Sequence, residues 1–221
     1  MKRVMQKHPR AFQQGLSLVE LMVALVLGLF VVGSLVALYI NTKETYLMTE
    51  NMSRLQENGR IALTMMARDI RWADYRTCVT NDLNPNAVAG TDGSPFTAPQ
   101  DTITTIFQTS GCGQAPATTT TTYSVGTGAS GQPSLFRSIN GGNAVEMVEG
   151  IQNLQVLYGE DTDRDFVPNY YVNIGNIDDA SQIVSVRLTL TAQTAELIRA
   201  AQNSRITRSF TSTIVLRNRV P

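Results

Sequence analysis

Residues 15–40 read GLSLVELMVALVLGLFVVGSLVALYI. From Leu16 to Ile40 the run carries one charged side chain, Glu20. As an α-helix this stretch reaches roughly 37 Å at about 1.5 Å per residue, enough to cross a bilayer. Ahead of it, MKRVMQKHPRAFQQG holds Lys2, Arg3, Lys7 and Arg10 and no acid. Basic residues before an apolar span stay on the cytoplasmic side. The expected topology is therefore a cytoplasmic N-terminus, with everything after Asn41 across the membrane. A secretory signal peptide is the alternative, but the apolar run is longer than an ordinary h-region and VALYINTKETY offers no small-x-small cleavage pattern. An uncleaved anchor is the simpler reading of the apolar run taken alone.

Glu20 fits neither alternative. A carboxylate in hydrocarbon costs about 2.5–3.5 kcal/mol on insertion scales, and residues 16–40 contain no Lys, Arg or His to pair with it. A cut between Gly15 and Leu16 supplies the missing cation, because Leu16 then carries a free α-ammonium group. Glu20 can meet that group one helical turn away in its own chain, or on a neighbouring subunit.

With its basic leader, Gly15 and LSLVELMVAL resemble the type IV prepilin signature. In that family a dedicated peptidase cuts after the Gly and methylates the new N-terminal residue, and the fifth residue after the cut is Glu. Gly15, Leu16 and Glu20 match position by position. A methylated amine stays cationic, so the resemblance implies that Glu20 is an assembly residue, pairing with a neighbour's N-terminus inside a filament.

Beyond Ile40 the chain is polar but free of Pro until Pro85, and residues 41–73 read as a continuation of the helix. Met48, Met52, Leu55, Gly59, Ala62, Met66 and Ile70 recur at spacings of four and three, forming one apolar stripe that must pack against something. Glu50 with Arg54, and Arg68 near Asp69 and Arg71, read as a solvated face with local ion pairs. Trp72 reads as a core anchor. One helix from about Leu16 to about Ala73 is expected, as in type IV pilins and pseudopilins. SRLQENGRIALTMMARDIRWADYRTC (53–78), VEGIQNLQVLYGEDTD (148–163) and FTSTIVLRNR (210–219) further resemble the PilW-type branch of minor pilins.

From Cys78 to about Gln132 the composition shifts to Thr, Gly, Pro, Ser and Asn, with no Lys or Arg between Arg76 and Arg137. Long loops around short strands such as DTITTIFQ and TTTYSV are expected, with TTTTT (118–122) as a solvated loop or edge strand. Strand signals strengthen after Pro133. SLFRSI and AVEMV flank a turn at Asn140-Gly141-Gly142, and IQNLQVLYG, SQIVSVRLTLTA and RITRSFTSTIVLRNR follow. The expected fold class is α+β, pilin-like: a long N-terminal helix whose amphipathic half packs on an antiparallel β-sheet. The expected division is a leader at 1–15, a membrane or filament-core half-helix at 16–40, an amphipathic half-helix at 41–75 and a β-rich domain at 76–221.

Composition narrows the chemistry. The only His is His8, in the leader, so His-dependent triads and His-based zinc sites are excluded from the body of the protein. Cys78 and Cys112 are the only cysteines; in an exported domain an even pair reads as a disulfide, stabilising by roughly 3–4 kcal/mol on the chain-entropy view. Asp161, Asp163 and Asp165 in GEDTDRDFVPN alternate as Ca²⁺ ligands can. Arg164 and Phe166 break that pattern, the latter standing where a tight turn favours Gly, so an acidic turn is the favoured reading and no cofactor is expected. No Walker sequence, GxGxxG, GxSxG or HExxH occurs, and no basic run suggests nucleic-acid binding. The net charge of zero averages two unlike parts: without the leader, 14 basic side chains stand against 18 acidic ones.

The expected function is therefore a non-enzymatic minor pilin of a Gram-negative type IV pilus. The resemblance implies prepilin peptidase, other minor pilins, the major pilin and the inner membrane as partners, and pili serving motility, adhesion or DNA uptake. A minor pseudopilin of a type II secretion system shares the same signature. A membrane-anchored periplasmic binding module is the reading from another class.

Overall fold

Nothing between Leu18 and Arg71 interrupts helical hydrogen bonding, and the computed structural model of the chain shows one α-helix, α1, over Leu18–Arg71. The structure describes residues 15, 17–76, 84, 86–93, 100–109, 117–198 and 204–220. The chain divides into two units, Met1–Leu47 and Met48–Pro221.

In the first unit the apolar run of α1 has a mean hydropathy of 2.8 and none of that window is buried within the protein. The hydroxyls of Ser34, Thr42 and Thr45 donate to the carbonyls of Phe30, Leu38 and Asn41, each at 2.9 Å, so these three donors are satisfied within the helix itself.

In the second unit Leu55, Gly59, Ala62, Met66 and Ile70 are buried, which is the expected stripe from Leu55 onward; Met48 is exposed. Two side chains depart from expectation. Asp69 is buried, not solvated, and Trp72 is 52% exposed, not a core anchor. The helical period explains both: Asp69 lies three residues after Met66 on the buried face, whereas Trp72 falls off it and Ala73 takes the inward position.

Nine strands follow: β1 Val88–Thr91, β2 Thr102–Gln108, β3 Thr118–Thr127, β4 Pro133–Ile139, β5 Val145–Glu149, β6 Ile151–Glu160, β7 Tyr170–Val172, β8 Ile183–Gln193 and β9 Thr207–Val215. They form two antiparallel sheets where the sequence suggested one. The first is a meander in the order β1-β2-β3-β4-β5, and the second has the order β7-β6-β8-β9. The expected turn joins β4 to β5: Asn140 (φ 52°) and Gly141 (φ 69°) are both left-handed, and the Gly142 N–H donates to Ile139 O at 2.9 Å.

Gly150 separates the sheets. At φ 82° it donates to Pro133 O at 2.8 Å, accepts from Gln193 N at 2.7 Å, and leaves β5 in one sheet and β6 in the other. A Cβ here would meet Gln193 O at 2.9 Å, so both conformation and space require glycine. Asp101 holds the sheets together, accepting from the N–H groups of Gly93 (2.8 Å) and Val156 (2.7 Å). Burial pushes its carboxyl above the ordinary range, against the pull of those two bonds.

One hydrophobic core joins the α1 stripe to Ile103, Tyr123 and Leu135 of the first sheet and to Leu154, Val156, Val186, Leu188, Leu190 and Ile214 of the second. Phe210 of β9 lies against Gly59, where a Cβ would fall 2.5 Å from its ring. The close approach of strand and helix depends on that missing side chain.

Candidate functional site

The N-terminal residues that carry the signature lie at the start of α1. Gly15 is exposed with open space around it, Ser17 precedes the first helical residue, and Leu16 lies outside the described residues. The Ser17 hydroxyl accepts the N–H of Glu20 at 3.1 Å, an N-cap that satisfies one orphan donor of the first turn. Glu20 is exposed in that first turn, where the helix macrodipole favours a carboxylate. Its side chain has no partner among the described residues. The helix thus begins at Leu18, three residues past Gly15, with a carboxylate in its first turn. A new cation at Leu16 or on a neighbour would find Glu20 available. The Ser17 cap is written in the sequence as Ser-x-x-Glu before an apolar run.

The three aspartates do converge. Carboxylate oxygens of Asp161, Asp163 and Asp165 lie within 4.8 Å of one another. Asp161 is buried, and its two oxygens already accept the N–H groups of Arg164 (2.7 Å), Asp165 (3.2 Å) and Phe166 (2.8 Å). Desolvation opposes its ionisation, but these backbone donors prevail and hold the carboxyl below its usual range. Arg164 (φ 62°) and Phe166 (φ 68°) both adopt left-handed conformations, so the tight turn forms without glycine. Asp165 in turn accepts the Val167 N–H at 2.8 Å. The loop is cross-braced by its own carboxylates.

Two buried ionic clusters went unforeseen. At the end of α1, Asp74 (φ 60°) takes Arg76 at 2.7 Å on one oxygen and Arg219 at 3.0 Å on the other. Arg219 also donates to the carbonyls of Ala180 (2.7 Å), Ile183 (3.0 Å) and Asn84, while Asn218 donates to Ala73 O (3.0 Å) and Arg71 O (3.3 Å), closing the helix C-terminus. The turn after β9 is thereby tied to the end of α1. The second cluster lies on the helix: Asp69 accepts the Tyr123 hydroxyl at 2.8 Å and pairs with Arg137 at 2.9 Å. Burial first, and then the Asp69 carboxylate, push the Tyr123 hydroxyl far above its ordinary range. A lone acid on an otherwise apolar stripe was the signal for Asp69. Both clusters are structural. Cys78 and Cys112 lie outside the described residues.

Two family models match the chain. Residues 10–36 match the prokaryotic N-terminal methylation motif. Residues 122–204 match PilW, type IV pilus-assembly protein W. Together they match a PilW-type, prepilin-like minor pilin and support a minor-pilin role in type IV pilus assembly. The second match covers VEGIQNLQVLYGEDTD and ends before FTSTIVLRNR; 53–78 falls outside both. No curated protein matches the chain. The pilus-assembly context implies pilin partners and processing by prepilin peptidase, and the apolar helix with its motif points to membrane anchoring ahead of a C-terminal domain.

Proposed function

We propose that the chain is cut between Gly15 and Leu16, methylated on Leu16, held in the inner membrane by the apolar half of α1 with residues 41–221 in the periplasm, and passed into a type IV pilus as a minor subunit that helps start the fibre. The observation that carries this reading is the placement of Ser17 and Glu20. The first turn is already capped, and an unpaired carboxylate stands one turn from the scissile bond. The same helix exposes its apolar side chains, a surface that a bundle of like helices can bury as well as lipid can. Its partners on this reading are the peptidase, the major pilin and other minor pilins.

The chain performs no reaction of its own on this reading, and no cofactor is assigned to it. The Asp161 loop acts as a self-capped turn, its buried carboxylate engaged by backbone donors. Calorimetric titration of the full chain in detergent with Ca²⁺ is expected to give no binding heat up to about millimolar ion, the weak end of the range for exported modules. Saturable heat that vanishes in Asp163→Asn would make the loop a calcium site. Cys78 and Cys112 form a disulfide in the exported domain; a thiol assay on the unfolded, unreduced chain is expected to find no reactive thiol, and two would refute the bridge.

The test of the function is cellular. In a strain lacking the chain, surface piliation is expected to fall, and restored, tagged chain should appear in sheared filaments. Normal piliation with loss of protein secretion would instead assign it to a type II secretion system.

A further inference from the structure

Positive charge collects at the C-terminal end of α1. Asp69 and Asp74, buried beneath that end, are each shared by two arginines: Arg68 (3.2 Å) and Arg137 (2.9 Å) on the first, Arg76 (2.7 Å) and Arg219 (3.0 Å) on the second. Arg71 and Arg217 make no ion pair among the described residues. A groove of about 480 Å³ opens here, lined by Arg68, Arg71, Trp72 and Tyr75 from the helix end and by Arg217 and Asn218 from the turn after β9. Among the described residues its lining holds three arginines and no acid. The helix macrodipole favours Arg68 and Arg71 in the last turn. It does not account for Arg217, which another element brings. The negative end of the helix is moreover already covered, since Asn218 donates to the carbonyls of Arg71 (3.3 Å) and Ala73 (3.0 Å). Beyond the leader the chain carries more acids than bases, so the surplus of positive charge is local.

The groove also presents flat aromatic surface. Trp72, the only Trp of the chain, is 52% exposed there. Tyr75 packs beside it with 5.3 Å between ring centroids, and Phe107 meets it edge-on at 6.1 Å. These two contacts fix the indole without covering it. A pinned, half-bare indole among unpaired guanidinium groups answers two chemistries at once: guanidinium groups hold phosphate oxygens through paired N–H donors, and the indole face takes a planar ring. A carboxylate-bearing peptide satisfies the arginines alone. A duplex satisfies them with its phosphates but keeps the faces of its bases stacked inside. A single strand offers phosphate and bare base together, and a groove of this size lies in the range of small-ligand sites, room for one nucleotide unit.

We propose that this groove binds single-stranded nucleic acid, with one base lying on the Trp72 indole and the flanking phosphates held by Arg68, Arg71 and Arg217. Recognition is of backbone charge and base face, so it tolerates sequence and weakens with salt. It does not depend on the pilus reading: the groove lies within the Met48–Pro221 unit, and the N-terminal signature within Met1–Leu47.

Because Trp72 is the only Trp, its emission in the full chain in detergent reports on the groove directly. Titration with a single-stranded oligothymidylate of about twelve nucleotides is expected to quench that emission saturably, since a stacked base meets the ring itself. Raising the salt should weaken binding. Arg71→Glu/Arg217→Glu should bind about tenfold or more weakly and flatten the plot of log affinity against log salt by about 1.4, two phosphate contacts at about 0.7 each. Followed by anisotropy of a labelled strand, Trp72→Ala should lose about fivefold or more, and Trp72→Phe, which keeps a planar ring, should lose less. These two variants leave charge unchanged and serve if the charge reversal fails to fold. Absence of saturable quenching, unchanged affinity in Arg71→Glu/Arg217→Glu with a retained melting transition, or unchanged affinity in Trp72→Ala would overturn the proposal. A duplex of the same length that binds as tightly as the strand would also overturn it, by leaving the indole no part in recognition. Displacement of the strand by polyglutamate at equal charge would overturn it in favour of an acidic protein partner.

Discussion

Glu20→Ala is expected to be cleaved nearly as well as wild type and to be missing from filaments. The peptidase acts at Gly15–Leu16, and the helix start it meets is preserved, because the cap donor at position 20 is a backbone N–H bonded to the Ser17 hydroxyl. What the substitution removes is the carboxylate. In the lone chain that carboxylate is a liability of about 2.5–3.5 kcal/mol on insertion scales, so the variant should sit in the membrane more comfortably than wild type. In a packed array the carboxylate faces a neighbour's N-terminal ammonium in a low dielectric, where breaking one partner of an ion pair costs about 3–5 kcal/mol. Per subunit that is a loss of incorporation of at least tenfold. The measurement is the ratio of processed to unprocessed chain in membranes, together with the fraction recovered in sheared pili. Ser17→Ala is the control. It should cost the helix about 0.5–2 kcal/mol by losing the cap while leaving incorporation measurable. If Ser17→Ala reproduced the Glu20→Ala defect, helix initiation, not ion pairing, would be the role of this turn.

The second large effect belongs to the C-terminus. Arg219→Ala should destabilise the Met48–Pro221 unit by about 3–5 kcal/mol, the range for removing one partner of a buried pair. Both side chains of the Asp74–Arg219 pair are 1% exposed, so solvent screening does not reduce the figure. The truncation also leaves the carbonyls of Ala180 and Ile183 without their donor, and Asp74 with Arg76 alone. Desolvation draws the Arg219 guanidinium below its ordinary range and Asp74 draws it back, so the charge is tolerated only while its partner is present. For a domain of this size the loss corresponds to a melting point lower by roughly 6–20 °C. Arg54→Ala, which breaks an exposed pair with Glu50, should shift it little. Equal shifts for the two variants would mean that the buried cluster is not what closes the domain.

The parts of the fold written in local periodicity were legible. The apolar run, the stripe from Leu55 to Ile70, and the alternation in Val184, Val186, Leu188 and Leu190 are each set by neighbours within a few residues. The Asn140-Gly141-Gly142 turn is legible for the same reason. What was missed depends on distant partners. Division into two sheets turns on one left-handed residue, Gly150, whose meaning appears only when Pro133 and Gln193 flank it. Asp69 next to Arg68 looks like a surface pair until Tyr123 and Arg137 close over it. Phe166 stood as an objection to a tight turn, yet the three N–H bonds to Asp161 hold the turn in a conformation its side chain disfavours. The arginine groove joins residues 68 and 71 to residue 217, a proximity that no run of basic residues announces. At the N-terminus the situation is reversed. Gly15, Leu16 and Glu20 could be named from sequence because their chemistry is read by a peptidase and by neighbouring helices as a short linear signal.

The pilin role rests on one covalent event, the cut after Gly15, and mass spectrometry of the chain extracted from membranes observes it directly. The expected N-terminal peptide begins at a singly methylated Leu16, with the basic leader absent. A chain that retains Met1 and the intact leader would contradict it, leaving Glu20 without a cation and the protein an ordinary membrane-anchored domain.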